Sequence, residues 1–293
     1  MTPNMTPQAL AQGAGALFSL PEAAIRVNEL IRSPEHTSHD LAEVVELDAG
    51  LTARLLRLAN SPLFGHVGKI DRVSHAIVMI GERALRDLVM ATSVTHAFKG
   101  IPEEFVDMAT FWDNSATCGV AARLLASRCG IRDGERIFVA GMLHGIGRLV
   151  FYSRQPELYR EVLKMRTESE AAILAREKQI FGFTYAELGA ALLAAWKLPE
   201  FFQVVIANQL EPLRAETFQK ETAILHVARD MAASLAPSLK TRQPPQAWQA
   251  GFDGTAGELL GLSQDELECI RIDALAQAFD VIDIINPGAS TIF

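Results

Sequence analysis

Apolar residues recur at helical spacing along most of this chain and few runs alternate with period two, so the pattern predicts an all-α fold. Ala24, Ile25, Val27, Leu30 and Ile31 form a stripe that starts after Pro21, a residue suited to a first helical position, and ends at Ser33-Pro34. Ser38 is the expected N-cap of a second helix carrying Leu41, Val44 and Val45, and Asp48 that of a third in which Leu51, Leu55 and Leu58 share a face. Asn60-Ser61-Pro62 stops that helix and Gly65 permits a turn. Asp71 is the expected cap of a helix from Val73 to Ile80 that Gly81 closes, and residues 84–98 supply another. Gly100 and Pro102 then break the pattern. Further helices are expected over 111–129, through 140–150, after Phe183, around Val205 and over 224–235, with Ser263 capping a last one over 265–270. Residues 1–19 read as a loosely ordered lead-in, and Thr241-Arg242-Gln243-Pro244-Pro245 as an exposed turn.

The 293 residues, 49% of them hydrophobic, can bury a sizeable core. Net charge is −8 but uneven: residues 252–283 hold eight carboxylates against Arg271 alone, which leaves the rest near neutral. Neither part has the basic excess of a nucleic-acid binder. Cys118, Cys129 and Cys269 form no C-x-x-C pair and read as reduced core residues of a cytosolic protein. No basic leader and no apolar run near ~20 residues occurs, so neither a signal peptide nor a membrane span is expected, and the cytoplasm is the expected location. The Gly-rich phosphate loops and the G-x-S-x-G nucleophile motif are missing, and Glu103-Glu104 and Glu168-Ser169-Glu170 read as solvated charge. Of the histidines other than His144, none shows metal-like spacing. His36 and His39 fall in an expected loop and read as solvated.

Two widely separated blocks, Asp48-Ala49-Gly50-Leu51-Thr52-Ala53-Arg54-Leu55-Leu56-Arg57-Leu58-Ala59-Asn60-Ser61 and Ala76-Ile77-x-x-Ile80-Gly81, resemble the amino-terminal half of the HDOD family of bacterial signalling domains. Trp112-x-Asn114-Ser115, the 140–150 segment around His144, Tyr185-Ala186-Glu187-Leu188-Gly189 and Asn208-Gln209-Leu210-Glu211-Pro212 are similar to its carboxy-terminal half, so the likeness spans about 20–212. It implies a helical subdomain over 20–101 packed on a degenerate HD-like helical subdomain over 102–240; the residues themselves place the 1–19 lead-in before these and an acidic helical extension over 241–293 after them.

HDOD domains are similar in fold to HD phosphohydrolases, whose histidines and aspartates hold divalent metal. Only His144 of that set is present here. The resemblance places Gly145 at the adjacent aspartate position, Asn114 at the first histidine, Tyr185 at another, and Gln209 and Leu210 at the paired histidines. The late aspartate falls on Arg229, or on Asp230 with a shift of one residue. No metal and no cofactor is expected, and Ala140, Gly141 and Gly145 are read as allowing close helix packing. His144 is expected to be a buried, hydrogen-bonded histidine of a packing helix. Asn114, His144, Tyr185, Gln209, Arg229 and Asp230 form the candidate vestigial pocket. Arg54 and Arg57, with Asn60 and Ser61, are structural or partner-contacting candidates.

The resemblance implies a non-catalytic regulatory protein in bacterial signal transduction that acts through protein partners, without membrane or nucleic acid and with an oligomer left open. The alternatives are a metal-dependent phosphohydrolase acting on nucleotides or cyclic dinucleotides, and a small-molecule sensor that uses the vestigial pocket.

Overall fold

The structure is a computed structural model that describes residues 5–18, 20–65, 69–98, 100–165, 167–241, 248 and 254–285. Helices joined by turns make up the described residues, with no strand among them, as the apolar periodicity predicts. The first group is α1 (Pro7–Leu17), α2 (Glu22–Leu30), α3 (Ser38–Glu46), α4 (Ala49–Ala59), α5 (Val73–Ile80) and α6 (Glu82–Ala97). The second is α7 (Met108–Arg128), α8 (Gly134–Leu143), α9 (Ile146–Arg154), α10 (Pro156–Leu163), α11 (Glu170–Phe181), α12 (Tyr185–Ala195), α13 (Glu200–Ala207), α14 (Gln219–Thr241), α15 (Gly254–Leu260) and α16 (Gln264–Ile285).

Asp48 caps α4 as expected, accepting from the Leu51 N–H at 2.9 Å, and Leu51, Leu55 and Leu58 are buried, each contributing roughly 1.5–3 kcal/mol of burial. Pro62–Phe64 forms a 3-10 turn that ends at Gly65 in left-handed backbone, φ 60°. Other boundaries differ by a residue. Pro21 stands at the N-cap of α2 rather than inside it. Thr37, not Ser38, caps α3 in a reciprocal capping box with Asp40, which frees Ser38 Oγ to donate to Glu82 at 2.6 Å. Arg72 occupies the N-cap of α5 and makes no side-chain cap, while Asp71 lies one residue too early and pairs with Arg72 and His75.

The expected loose lead-in is instead a helix over 7–17. Thr6 caps α1 by accepting from the Ala9 N–H, and the small side chains of Ala11 and Ala14 are buried where α1 packs on α9 and α12. At the other end, Ser263 does cap α16, but the helix runs on to Ile285. Leu267, Ile270, Ala274, Ala278, Val281 and Ile285 are buried, and α16 packs against α4, α7 and α14. Arg271, 1% exposed, is held by both oxygens of Glu268 at 2.6 and 2.8 Å. Most of the expected turn after Thr241 lies outside the described residues.

The long helix α7 is the hub, with α8, α14 and α16 packed around it. Helices α7 and α8 meet backbone to backbone, since a Cβ on Gly141 would fall 2.5 Å from the Gly119 Cα. Helices α9 and α12 do the same, and a Cβ on Gly147 would fall 1.9 Å from the Tyr185 carbonyl oxygen. Gly145, read from the sequence as a packing glycine, meets only the Phe111 ring, at 3.2 Å; the close contact belongs to Gly147. Of the cysteines, Cys118 is buried and its thiol is pushed up to about 12 by that burial, whereas Cys129 is half-buried and Cys269 is exposed on α16, so the core reading fails for Cys269. Among the described residues no helix is long and apolar enough to cross a membrane.

Candidate functional site

The 140–150 segment is not one helix: α8 ends at Leu143, His144-Gly145 forms a turn, and α9 starts at Ile146. His144 is 4% exposed, so burial is as expected, but it sits at a helix junction. There it lines a cavity of about 420 Å³ where α7, α9, α10, α11 and α14 converge. Asn114, His144, Arg229 and Asp230 line this cavity, together with Arg148, Tyr152, Tyr159, Glu170 and His226.

Tyr185 and Gln209 are fully buried residues that support the lining groups. Gln209 Nε2 donates to the carbonyls of His144 at 2.9 Å and Ile206 at 3.0 Å, and the Gln209 carbonyl accepts from His226 Nδ1 at 2.7 Å and Arg229 Nη1 at 3.3 Å. One glutamine thus ties the α8–α9 junction to α14. The Tyr185 ring lies under Arg148, whose guanidinium carbon is 3.9 Å from the ring centre, a cation–π contact that the Gly147 approach makes reachable. Asp230 accepts from Trp248 Nε1 at 3.0 Å.

The electrostatic centre is an ion cluster. Arg229 Nη2 donates to both oxygens of Glu170 at 2.7 Å, and Arg148 Nη2 lies 3.4 Å from Glu170 Oε1. Burial pushes the Glu170 carboxyl up, but Arg229 and then Arg148 outweigh it and hold the group below its ordinary range. Glu170 is therefore a paired charge, not the solvated one its sequence surroundings suggest. Burial pushes His144 down to about 3, against a hydrogen bond to the Gly141 carbonyl and with Arg229 and Arg148 adding repulsion. The ring is neutral, and because a carbonyl only accepts, Nδ1 carries the proton given to Gly141 at 2.7 Å and Nε2 keeps its lone pair. His226 follows the same rule, lowered by burial and donating from Nδ1 to Gln209. Behind the cavity, Glu177 is fully buried and its carboxyl is raised by that burial; it accepts from the Tyr159 hydroxyl at 2.5 Å and the Tyr185 N–H at 2.8 Å, fixing α10 against the start of α12.

A catalytic divalent ion needs three or more converging donors and an open position. Among the described residues no group of three His, Cys, Asp or Glu side chains is placed to hold one. Glu170 is already bound by Arg229, and two guanidiniums stand where they repel a cation. The residues present do not fit a catalytic metal centre. Elsewhere, His36 is not solvated: Nδ1 donates to the Ser33 carbonyl and Nε2 pairs with Glu82 at 2.9 Å, while His39 is 81% exposed as expected but lies on α3 rather than in a loop. His66 and the side chain of His96 lie outside the described residues.

The α4 motif is placed apart from this cavity. Asn60 Nδ2 donates to the Leu56 and Ile70 carbonyls, each at 2.7 Å, and its Oδ1 accepts from the Ile70 N–H at 2.8 Å, so the side chain staples the following loop to the helix. Ser61 is buried. Arg57 is exposed, Arg54 is half-buried, and neither forms an ion pair among the described residues. Arg57, Asn60 and Ser61 line a shallow groove together with Asp280 and Asp283 of α16.

Sequence reasoning missed Arg148, Glu170, Tyr152, Tyr159 and His226. Arg148 did leave a signal: it is the one charge in the apolar run from Ile146 to Tyr152. Glu170 left none, because its partner Arg229 is 59 residues away.

Comparison with known proteins agrees with this architecture. A Treponema pallidum (strain Nichols) protein of uncharacterised role is 26% identical over 185 residues, 62% of this chain, and the match spans only 35% of that relative's length. A crystal structure of a "Putative phosphohydrolase" from Shewanella amazonensis SB2B superposes with a TM-score of 0.70 and 26% identity, covering 94% of this chain and 98% of that one. An HDOD domain protein of unknown function from Geobacter sulfurreducens has the same fold, with a TM-score of 0.68 and 21% identity over 96% of this chain and 97% of its own. The family model for the HDOD domain matches residues 17–212, and the chain belongs to the HDOD domain family.

Proposed function

We propose that this HDOD protein is a non-catalytic regulator in bacterial signal transduction, acting in the cytoplasm by binding another protein. The observation that carries this reading is the Arg229–Glu170 pair: in the cavity where the family resemblance would place metal ligands, a guanidinium takes up the carboxylate, His144 is neutral, and among the described residues no group of three donors is placed to hold a metal. Such a site can bind and change shape but lacks the means to activate water. The amino-terminal helices support the interaction half of the proposal. Arg57 is exposed and without an ion pair among the described residues, at the rim of a groove that also carries Asp280 and Asp283.

The test is affinity capture from the native host followed by reconstitution with the purified candidate. A defined signalling protein that binds the wild-type chain, and binds Arg57→Ala or Arg54→Ala more weakly, supports the reading. Failure to reconstitute any captured protein with the purified chain counts against it.

A further inference from the structure

The ion cluster in the cavity has a feature that packing alone does not require. Two guanidiniums, Arg148 and Arg229, converge on one carboxylate, and that carboxylate is supplied by the first residue of α11. The Arg229 side chain is 10% exposed, whereas Glu170 is 49% exposed. The cation is therefore part of the built wall, and the anion reaches in from the rim.

The remaining surface suits an organic anion. The Asn114 side chain, on α7, makes no hydrogen bond among the described residues and lines the cavity. His144 Nε2 and His226 Nε2 are lone-pair acceptors by the tautomers their Nδ1 bonds impose, and His226 Nε2 is buried without a hydrogen-bond partner among the described residues. Val162, Leu163 and Ile173 supply apolar wall. A volume of about 420 Å³ lies in the range of small-ligand sites.

We propose that this cavity binds a small phosphate monoester, of nucleoside monophosphate size, whose phosphate replaces the Glu170 carboxylate between Arg148 and Arg229. A dianionic phosphate offers more acceptor oxygens to two planar guanidiniums than a carboxylate does, so the exchange favours the ligand. The uncharged imidazoles accept from hydroxyl or amino groups on the rest of the molecule. Releasing Glu170 unties the amino-terminal end of α11 from α9 and α14, which converts occupancy into a local change of shape. The inference rests on the regulatory reading of this site and gives it a ligand.

The experiment is calorimetric titration of the full chain with inorganic phosphate, AMP and GMP, in wild type, Glu170→Gln and Arg229→Gln. Hydrogen exchange at residues 167–175 is followed in parallel. Glu170→Gln removes the internal competitor and should tighten binding about tenfold, the size of one charge-assisted hydrogen bond. Arg229→Gln should abolish binding, and bound ligand should speed exchange at the start of α11. The proposal is overturned if no monoester binds saturably to either wild type or Glu170→Gln, or if Glu170→Gln binds no more tightly than wild type. Because Glu170→Gln is read as a gain, poor folding of Arg229→Gln does not spoil the test. The two readings fail separately: a reconstituted partner with no monoester binding overturns only the ligand, while metal-dependent hydrolysis of a bound monoester overturns only the non-catalytic role.

Discussion

Arg229 Nη2 lies 2.7 Å from each carboxylate oxygen of Glu170, joining α14 to the start of α11 across 59 residues of sequence. The two partners differ in exposure, 10% against 49%, and this asymmetry sets what each contributes. Glu170→Ala should cost no more than about 1 kcal/mol, because a half-exposed anion is well solvated in the unfolded chain too. Arg229→Ala should cost roughly 2–3 kcal/mol, since it also removes the donor to the Gln209 carbonyl and leaves a gap in a buried wall. Urea unfolding of the two variants measures the difference.

The close crossing of α9 and α12 gives a sharper contrast between two neighbouring glycines. Gly147→Ala drives a methyl to within 1.9 Å of the Tyr185 carbonyl oxygen, which is backbone and cannot rotate away, so a loss of about 3 kcal/mol or more is expected. Gly145→Ala meets only the edge of the Phe111 ring at 3.2 Å and should cost under about 1 kcal/mol. Thermal unfolding of both variants checks the order. Gly145→Asp, which restores an adjacent His-Asp pair, should still bind no manganese, because Arg148 and Arg229 remain in the cavity.

Acid should weaken the fold through His144. The unfolded histidine takes up a proton near 6.5, but the folded one, desolvated and beside two arginines, resists until about 3. Between these values the unfolded state holds the extra proton, so stability is fully present above 6.5 and falls as pH drops, by roughly 1.4 kcal/mol per pH unit at most. His226 shifts in the same direction. His144→Gln should flatten the acid side of the stability profile; an unchanged slope in this variant would show that the histidine titrates freely.

Asn60 offers a test that separates structure from contact. Its amide makes three hydrogen bonds linking Leu56, Asn60 and Ile70, so Asn60→Ala should lower stability by about 1–2 kcal/mol, whereas exposed Arg57→Ala should change stability by less than about 0.5 kcal/mol. Chemical denaturation decides.

Local signals carried the helices well. Asp48 caps where it should, Leu51, Leu55 and Leu58 are buried together, and Asn60-Ser61-Pro62 ends α4. What local signals could not carry was the competition between elements. The 7–17 helix exists because α9 and α12 offer a surface to its small side chains, and α16 reaches Ile285 because α7 lies beside it. The cavity was half legible. The resemblance pointed to Asn114, His144, Arg229 and Asp230, all of which line it, and to Tyr185 and Gln209, which buttress it. Arg148 and Glu170, which set its charge, belong to ion pairs across 22 and 59 residues that no periodicity encodes.

The most direct test of the regulatory account is metal content and turnover on the same preparation. The chain, purified without chelator and supplied with manganese or magnesium, is analysed for bound metal and assayed on nucleotides and cyclic dinucleotides beside His144→Ala. The account predicts substoichiometric metal and no hydrolysis above background in either protein. Stoichiometric metal, with turnover that vanishes in His144→Ala, would contradict it.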